Sequence, residues 1–185
     1  VRTEGPLLDA ERIRGLLVEL GRRLHVRGIT ARIFLVGGAA MALAYNSRQA
    51  TRDLDGVFEP KTEIYAEAAL MAEQAGLPPD WLNDGVKGLL PDRSAVEIGS
   101  HFDSEGISVG VASAAYLFAM KAFAARVEVD IDDLRFLAQH LGLRDAHEAI
   151  GLVERFYAPH RLKPVTQYLL EDLFAELASA DDDLA

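Results

Sequence analysis

The stretch FLVGGAAMALAYNSRQATRDLDGVFE, residues 34–59, decides how this chain is read. An apolar run leads into Gly37 and Gly38, a segment of small residues follows, and Asp53, Leu54 and Asp55 precede a second apolar run. In an extended strand alternate side chains share a face, so Asp53 and Asp55 are expected to project together with Cα atoms about 7 Å apart. Two carboxylates at that reach suit a pair of divalent ions roughly 3.5–4 Å apart, the spacing used for in-line phosphoryl chemistry. The glycines lack a Cβ and stand where a helix would begin, so their N–H groups can approach phosphate oxygens closely. The expectation is a metal site beside a phosphate site.

Asp-x-Asp alone is a weak signal, because surface turns often carry two acids before a strand. The Gly-Gly pair upstream gives it weight. A dinucleotide-binding turn would require G-x-G-x-x-G, which is absent, and two offset acids suit cations better than one ribose hydroxyl. No Gly-Lys-Ser/Thr follows the glycines, which excludes a P-loop.

Outward from this stretch, residues 8–27 place Ile13, Leu16, Leu17, Leu20 and Leu24 on one helical face, with Asp9 as N-cap and Gly28 as terminator. Residues 31–36 read as a buried strand, 39–45 as a short helix and 54–58 as a second strand. Lys61–Ala75 returns to helical periodicity and stops at Gly76, Pro78 and Pro79. Residues 80–93 read as a loop with a short turn. Residues 94–102 and 107–112 read as two more strands, joined as a hairpin through DSEG. Four helices then follow, over 114–126, 133–141, 146–156 and 164–177. A mixed sheet of about four strands with a helical tail predicts an α+β protein. Residues 1–112 are expected to form the core with its N-terminal helix, and 113–185 a helical part packed on it, as one compact unit.

With 185 residues, half of them hydrophobic, the chain can bury a substantial core. A net charge of −10 and a pI near 4.9 argue against broad electrostatic capture of nucleic acid. Arg12, Arg14, Arg22, Arg23, Arg27 and Arg32 nevertheless crowd the N-terminal segment, consistent either with a basic rim near the site or with solvated helix faces. The absence of cysteine excludes disulfides and thiolate zinc sites. No apolar run approaches the roughly 18–20 residues of a membrane span, and no signal-peptide core follows the charged start, so a cytosolic protein without membrane partners is expected. His25, His101, His140, His147 and His160 show neither metal-ligand spacing nor a partner nucleophile. Tyr157 reads as core, not as a base-stacking platform.

Lys121 interrupts an otherwise apolar or small helix, AAYLFAMKAFAAR. Either it points into a cleft or its stem snorkels toward water. Arg126 can complement the helix dipole. Asp130, Asp132 and Asp133 crowd the start of the next helix, where capping explains most of them, although one can orient Lys121 or Arg126. Glu97 can supply a third metal carboxylate if its strand lies beside Asp53 and Asp55.

Gly37 and Gly38, then TRDLD at residues 51–55, then KAFAAR at 121–126, then DIDDL at 130–134 follow the motif order of one family. The chain resembles the nucleotidyltransferase superfamily, of polymerase-beta-like fold, in its AbiEii-like and MenT-like branch of small bacterial proteins. RFYAPHRLKP, residues 155–164, is similar to the helical tail of that branch. The resemblance implies that Asp53 and Asp55 hold Mg²⁺ or Mn²⁺ and that Gly37 and Gly38 cradle the triphosphate with Thr51 and Arg126. Lys121 with Asp130 and Asp133 would complete the catalytic set, Asp132 remaining an alternative. Gly38 stands where the broader superfamily carries a serine, so one hydroxyl contact to phosphate is missing. Thr51 is a control point by the same resemblance, since a phosphate there would repel the carboxylates or the nucleotide.

The implied activity is transfer of a nucleoside monophosphate from an NTP to an acceptor hydroxyl, with release of pyrophosphate. For the toxin branch the acceptor is the tRNA 3′ end, and a cognate antitoxin is the expected partner. Two other readings stand beside it. One is an antitoxin-type enzyme that AMPylates a partner ribonuclease, and the other is a nucleotide-binding module without turnover. An antibiotic-modifying enzyme fits less well, because the short chain offers no evident second domain for such a substrate.

Overall fold

The computed structural model describes residues 6–45, 50–91 and 97–182. The chain divides into two compact units, Val1–Gly88 with Ile98–Ala112, and Leu89–Glu97 with Ser113–Ala185.

In the first unit, α1 (Ala10–Val26) begins where the backbone N–H of Arg12 donates to Asp9 Oδ1 at 2.7 Å. Its stripe of Ile13, Leu16, Leu17, Leu20 and Leu24 is buried, and Gly28, at φ +72°, follows its end. Gly21 lies on the same face: a Cβ there would stand 2.5 Å from Ile107 Cγ2 and 2.6 Å from the Glu105 carbonyl. Glycine is therefore what lets the helix lie this close to the sheet.

The sheet has five strands among the described residues. β1 (Ala31–Leu35) is central, β2 (Leu54–Glu59) pairs antiparallel with it, β3 (Leu82–Asn83) pairs parallel with β2, and β4 (Ile98–Ser104) forms an antiparallel pair with β5 (Ile107–Ala112). β5 runs parallel to β1, giving the order β3-β2-β1-β5-β4. This is a mixed sheet with helices, an α+β architecture as expected. Where about four strands were expected, β3 is the fifth; residues 80–93 hold this strand and a 3₁₀ turn at Gly85–Leu89. Two residues are too few for periodicity to register. The hairpin link is Glu105 and Gly106 alone, because Asp103 and Ser104 still pair across to Ser108 and Ile107.

After β1 the chain enters a short helical turn, α2 (Gly37–Ala40), which continues as a π-helical turn over Met41–Tyr45. α3 (Lys61–Ala75) ends at Gly76, φ +63°. Trp81 is wholly buried and its indole N–H donates to the Ala68 carbonyl at 2.9 Å, fixing the approach to β3.

In the second unit, α4 (Ala114–Ala124) is capped by Ser113, whose Oγ accepts from the Tyr116 N–H at 3.1 Å. It is buried on nearly every side, as its all-round apolar sequence requires, and packs against α5 (Val127–Leu141), α6 (Ala146–Phe156) and α7 (Pro164–Asp182). α5 starts six residues earlier than the expected position 133. The phenol of Tyr157 is core, as expected, stacked on Phe123 with ring centroids 4.0 Å apart. No described helix is long and apolar enough to cross a membrane.

Candidate functional site

The antiparallel register of β1 and β2 sets Leu35 opposite Gly56, so the exit of β1 lies beside the entrance of β2. There the Val36 N–H donates to the Asp55 carbonyl at 3.0 Å. The next residue, Gly37, has φ +63°, a conformation that other residues adopt only with strain. A Cβ built on it would lie 3.1 Å from Asp55 Oδ2. The glycine turn and one carboxylate of the Asp-x-Asp pair are thus in contact, and Gly38 follows in α2.

Asp53 corrects one expectation. β2 begins at Leu54, so Asp53 sits in the bend that leads into the strand, and the pleat does not by itself put it on the face of Asp55. Its placement comes from neighbours. The Thr51 hydroxyl donates to the Asp53 carbonyl at 3.2 Å, and Asn83 Nδ2 donates to Asp53 Oδ2 at 3.3 Å. Thr51 is buried and pairs with Leu8 through two backbone hydrogen bonds of 2.7 and 2.8 Å. It therefore lies on a bridge to the N-terminal segment, ahead of β2.

Lys121, Arg126, Asp130 and Asp133 belong to the second unit and come together there. Lys121 Nζ is 2.6 Å from Asp130 Oδ1 and 2.7 Å from Asp133 Oδ2, and Arg126 Nε donates to Asp130 Oδ2 at 2.9 Å. Two cations face two carboxylates, and all but Arg126 are buried. Ala125, at φ 50°, makes the sharp turn that returns the start of α5 to α4. The acids were expected mainly as caps. Instead Arg126 is the N-cap residue, no side chain caps the helix, and the inward acids serve Lys121. Asp132 points outward and pairs with Arg135 at 2.9 Å, which separates it from the cluster.

Glu97 does not meet its condition. β4 is separated from β2 by β1 and β5, and Glu97 instead accepts from the Ser113 hydroxyl at 2.9 Å. The basic rim is largely neutralised in place: Arg22 and Arg23 bind Glu19, Arg27 binds Glu67, and Arg32 binds Glu59. All five histidines are exposed.

Asn83 and Asp84 were missed from the sequence. Asp84 takes hydrogen bonds or ion pairs from Tyr65, Lys61 and Lys87, and the two lysines with the phenol hold its carboxyl well below the usual carboxylate range. The signal was the Asn-Asp-Gly triplet directly after the buried Trp81 and Leu82, a turn composition that read only as loop.

Among the described residues no group of three or more His, Asp or Glu side chains could hold a metal ion. Asp53 and Asp55 still fit Mg²⁺ or Mn²⁺ in kind. They are hard oxygen donors, Asp55 beside the glycine turn, and Mg²⁺ commonly takes one or two protein carboxylates and completes its shell with water and substrate phosphate. Compared with protein-family models, curated proteins and solved structures, the chain finds no match.

Proposed function

We propose that this protein is a Mg²⁺-dependent nucleotidyltransferase of the cytosol, with the tRNA 3′ end as acceptor, acting as the toxin of a toxin-antitoxin pair. The observation that carries this reading is the contact between the Asp55 carboxylate and the positive-φ Gly37, within the motif order of Gly-Gly followed by Thr-x-Asp-x-Asp. Asp53 and Asp55 would hold the metal. Gly37 and Gly38 would offer backbone N–H groups to triphosphate oxygens, with no Cβ in the way. When bound, the metal would neutralise phosphate charge and ease deprotonation of the acceptor hydroxyl. The acceptor oxygen forms a bond to the α-phosphorus, the bond from that phosphorus to the bridging oxygen breaks in line, and pyrophosphate leaves while the hydroxyl proton passes to solvent. The motif order assigns the Lys121, Asp130 and Asp133 cluster and Arg126 to the same activity.

The test is incubation of the purified protein with Mg²⁺, each α-labelled nucleoside triphosphate in turn, total tRNA and cell protein, with Asp53→Ala and Asp55→Ala as controls. Label on RNA, lost in both variants, supports the proposal and names the nucleotide. Label on a protein band replaces it with the antitoxin-type reading. No label, with nucleotide still bound, replaces it with a binding module.

A further inference from the structure

The two-residue strand β3 looks too short to earn a place in the sheet, yet its neighbours fix it firmly. Trp81 and Leu82 are buried, and the Leu54 N–H donates to the Trp81 carbonyl at 2.6 Å. The next side chain is Asn83, set opposite Asp55 in the β2–β3 register.

The amide of Asn83 has its orientation determined by its partners. The Gly85 N–H reaches one side at 2.9 Å, and only the oxygen Oδ1 can accept it. Nδ2 is thereby turned the other way, where it donates to Asp53 Oδ2 at 3.3 Å and to the Asp80 carbonyl at 3.4 Å. One side chain thus stands beside Asp55 by register and holds Asp53 by hydrogen bond. Its chemistry is specific. A lysine at this place would neutralise the acids and repel a cation, and an acid would repel the carboxylates. A neutral amide orients a carboxylate oxygen while leaving the negative charge available.

We infer that Asn83 is a positioning residue for a divalent cation held by Asp53 and Asp55, with β3 serving to carry it there. The inference rests on the metal-carboxylate reading of the two acids. Partners of this kind typically change metal affinity by about 10–100-fold when removed.

The experiment measures Mn²⁺ binding to the full chain by electron paramagnetic resonance of the free ion. Asn83→Ser is the informative variant, because its hydroxyl can still accept the Gly85 N–H and keep the turn but cannot reach Asp53. The expected result is that Asp53→Ala abolishes binding and Asn83→Ser weakens it about tenfold or more with an unchanged thermal midpoint. Should the serine variant fail to fold, Asn83→Ala is read by the same measurement. Wild-type affinity in a folded Asn83 variant would overturn the inference and leave the metal reading intact. Absence of Mn²⁺ binding in the wild type would overturn the metal reading, and this inference with it.

Discussion

The Asp55 carboxylate crowds the space that a side chain on Gly37 would need, where a Cβ would come within 3.1 Å of Oδ2. Gly76 offers a matched comparison, with the same φ of +63° but nothing within 4 Å of its missing Cβ. Gly37→Ala and Gly76→Ala are both expected to lose about 1–2 kcal/mol through the left-handed backbone. Only Gly37→Ala must also displace the carboxylate. Urea denaturation should show similar losses for the two, whereas Mn²⁺ binding should weaken in Gly37→Ala and stay unchanged in Gly76→Ala.

The Lys121 cluster separates buried from exposed charge in one network. Lys121→Met leaves Asp130 and Asp133 buried without their ammonium partner, and removing one member of a buried pair typically costs about 3–5 kcal/mol. Arg126 is 58% exposed in its side chain, so Arg126→Ala should cost less than about 1 kcal/mol although it touches the same Asp130. Urea denaturation of the two variants, followed by far-ultraviolet circular dichroism, checks the ordering. Equal effects would show that burial does not set the strength of this cluster.

Local punctuation made much of the fold legible. Lys61–Ala75 and Ala146–Phe156 were readable to the residue, because Pro60 and Gly76 bracket the first and Asp145 caps the second, accepting from the Glu148 N–H at 2.8 Å. What was lost depended on distant neighbours. The start of α5 reads VEVDIDD, an alternation that resembles no helix face, and two of its acids, Asp130 and Asp133, point inward because Lys121 waits in α4. The Asp-x-Asp motif was legible, but the shared strand face expected from its spacing was not met, because Asp53 lies in the bend before β2. The hydrogen bond from Asn83 was not legible, because it depends on a parallel pairing between segments about thirty residues apart.

Glu19 supplies a pH dependence with a definite sign. Hydrogen bonds from Arg22 and Arg23 hold its carboxyl down at about 2, against an ordinary 4.5. A folded-state value below the unfolded one means that the unfolded chain takes up the proton first as acid is added. The stabilisation is therefore complete above about pH 4.5 and declines as pH falls toward 2. The pairs are partly exposed, so the contribution is on the order of 1 kcal/mol or less and shrinks with salt. The difference in stability between wild type and Glu19→Gln should be positive at pH 6 and close toward zero as pH approaches 2. A difference that stays constant across this range would rule out the linkage.

Trp81 joins stability to the site. It is the only tryptophan in the chain, wholly buried, bonded through its indole to the Ala68 carbonyl of α3, and adjacent to the strand that carries Asn83. Trp81→Phe removes a hydrogen bond worth about 1 kcal/mol and leaves part of the ring volume empty, so a loss of roughly 2 kcal/mol or more is expected. Because the Trp81 carbonyl also receives the Leu54 N–H, slack at this position should reach Asn83 and through it Asp53. Two measurements distinguish a local packing effect from a site effect: the urea midpoint, which should fall, and Mn²⁺ affinity at low denaturant, which should weaken in the still-folded variant. A reduced midpoint with unchanged affinity would confine the role of Trp81 to packing.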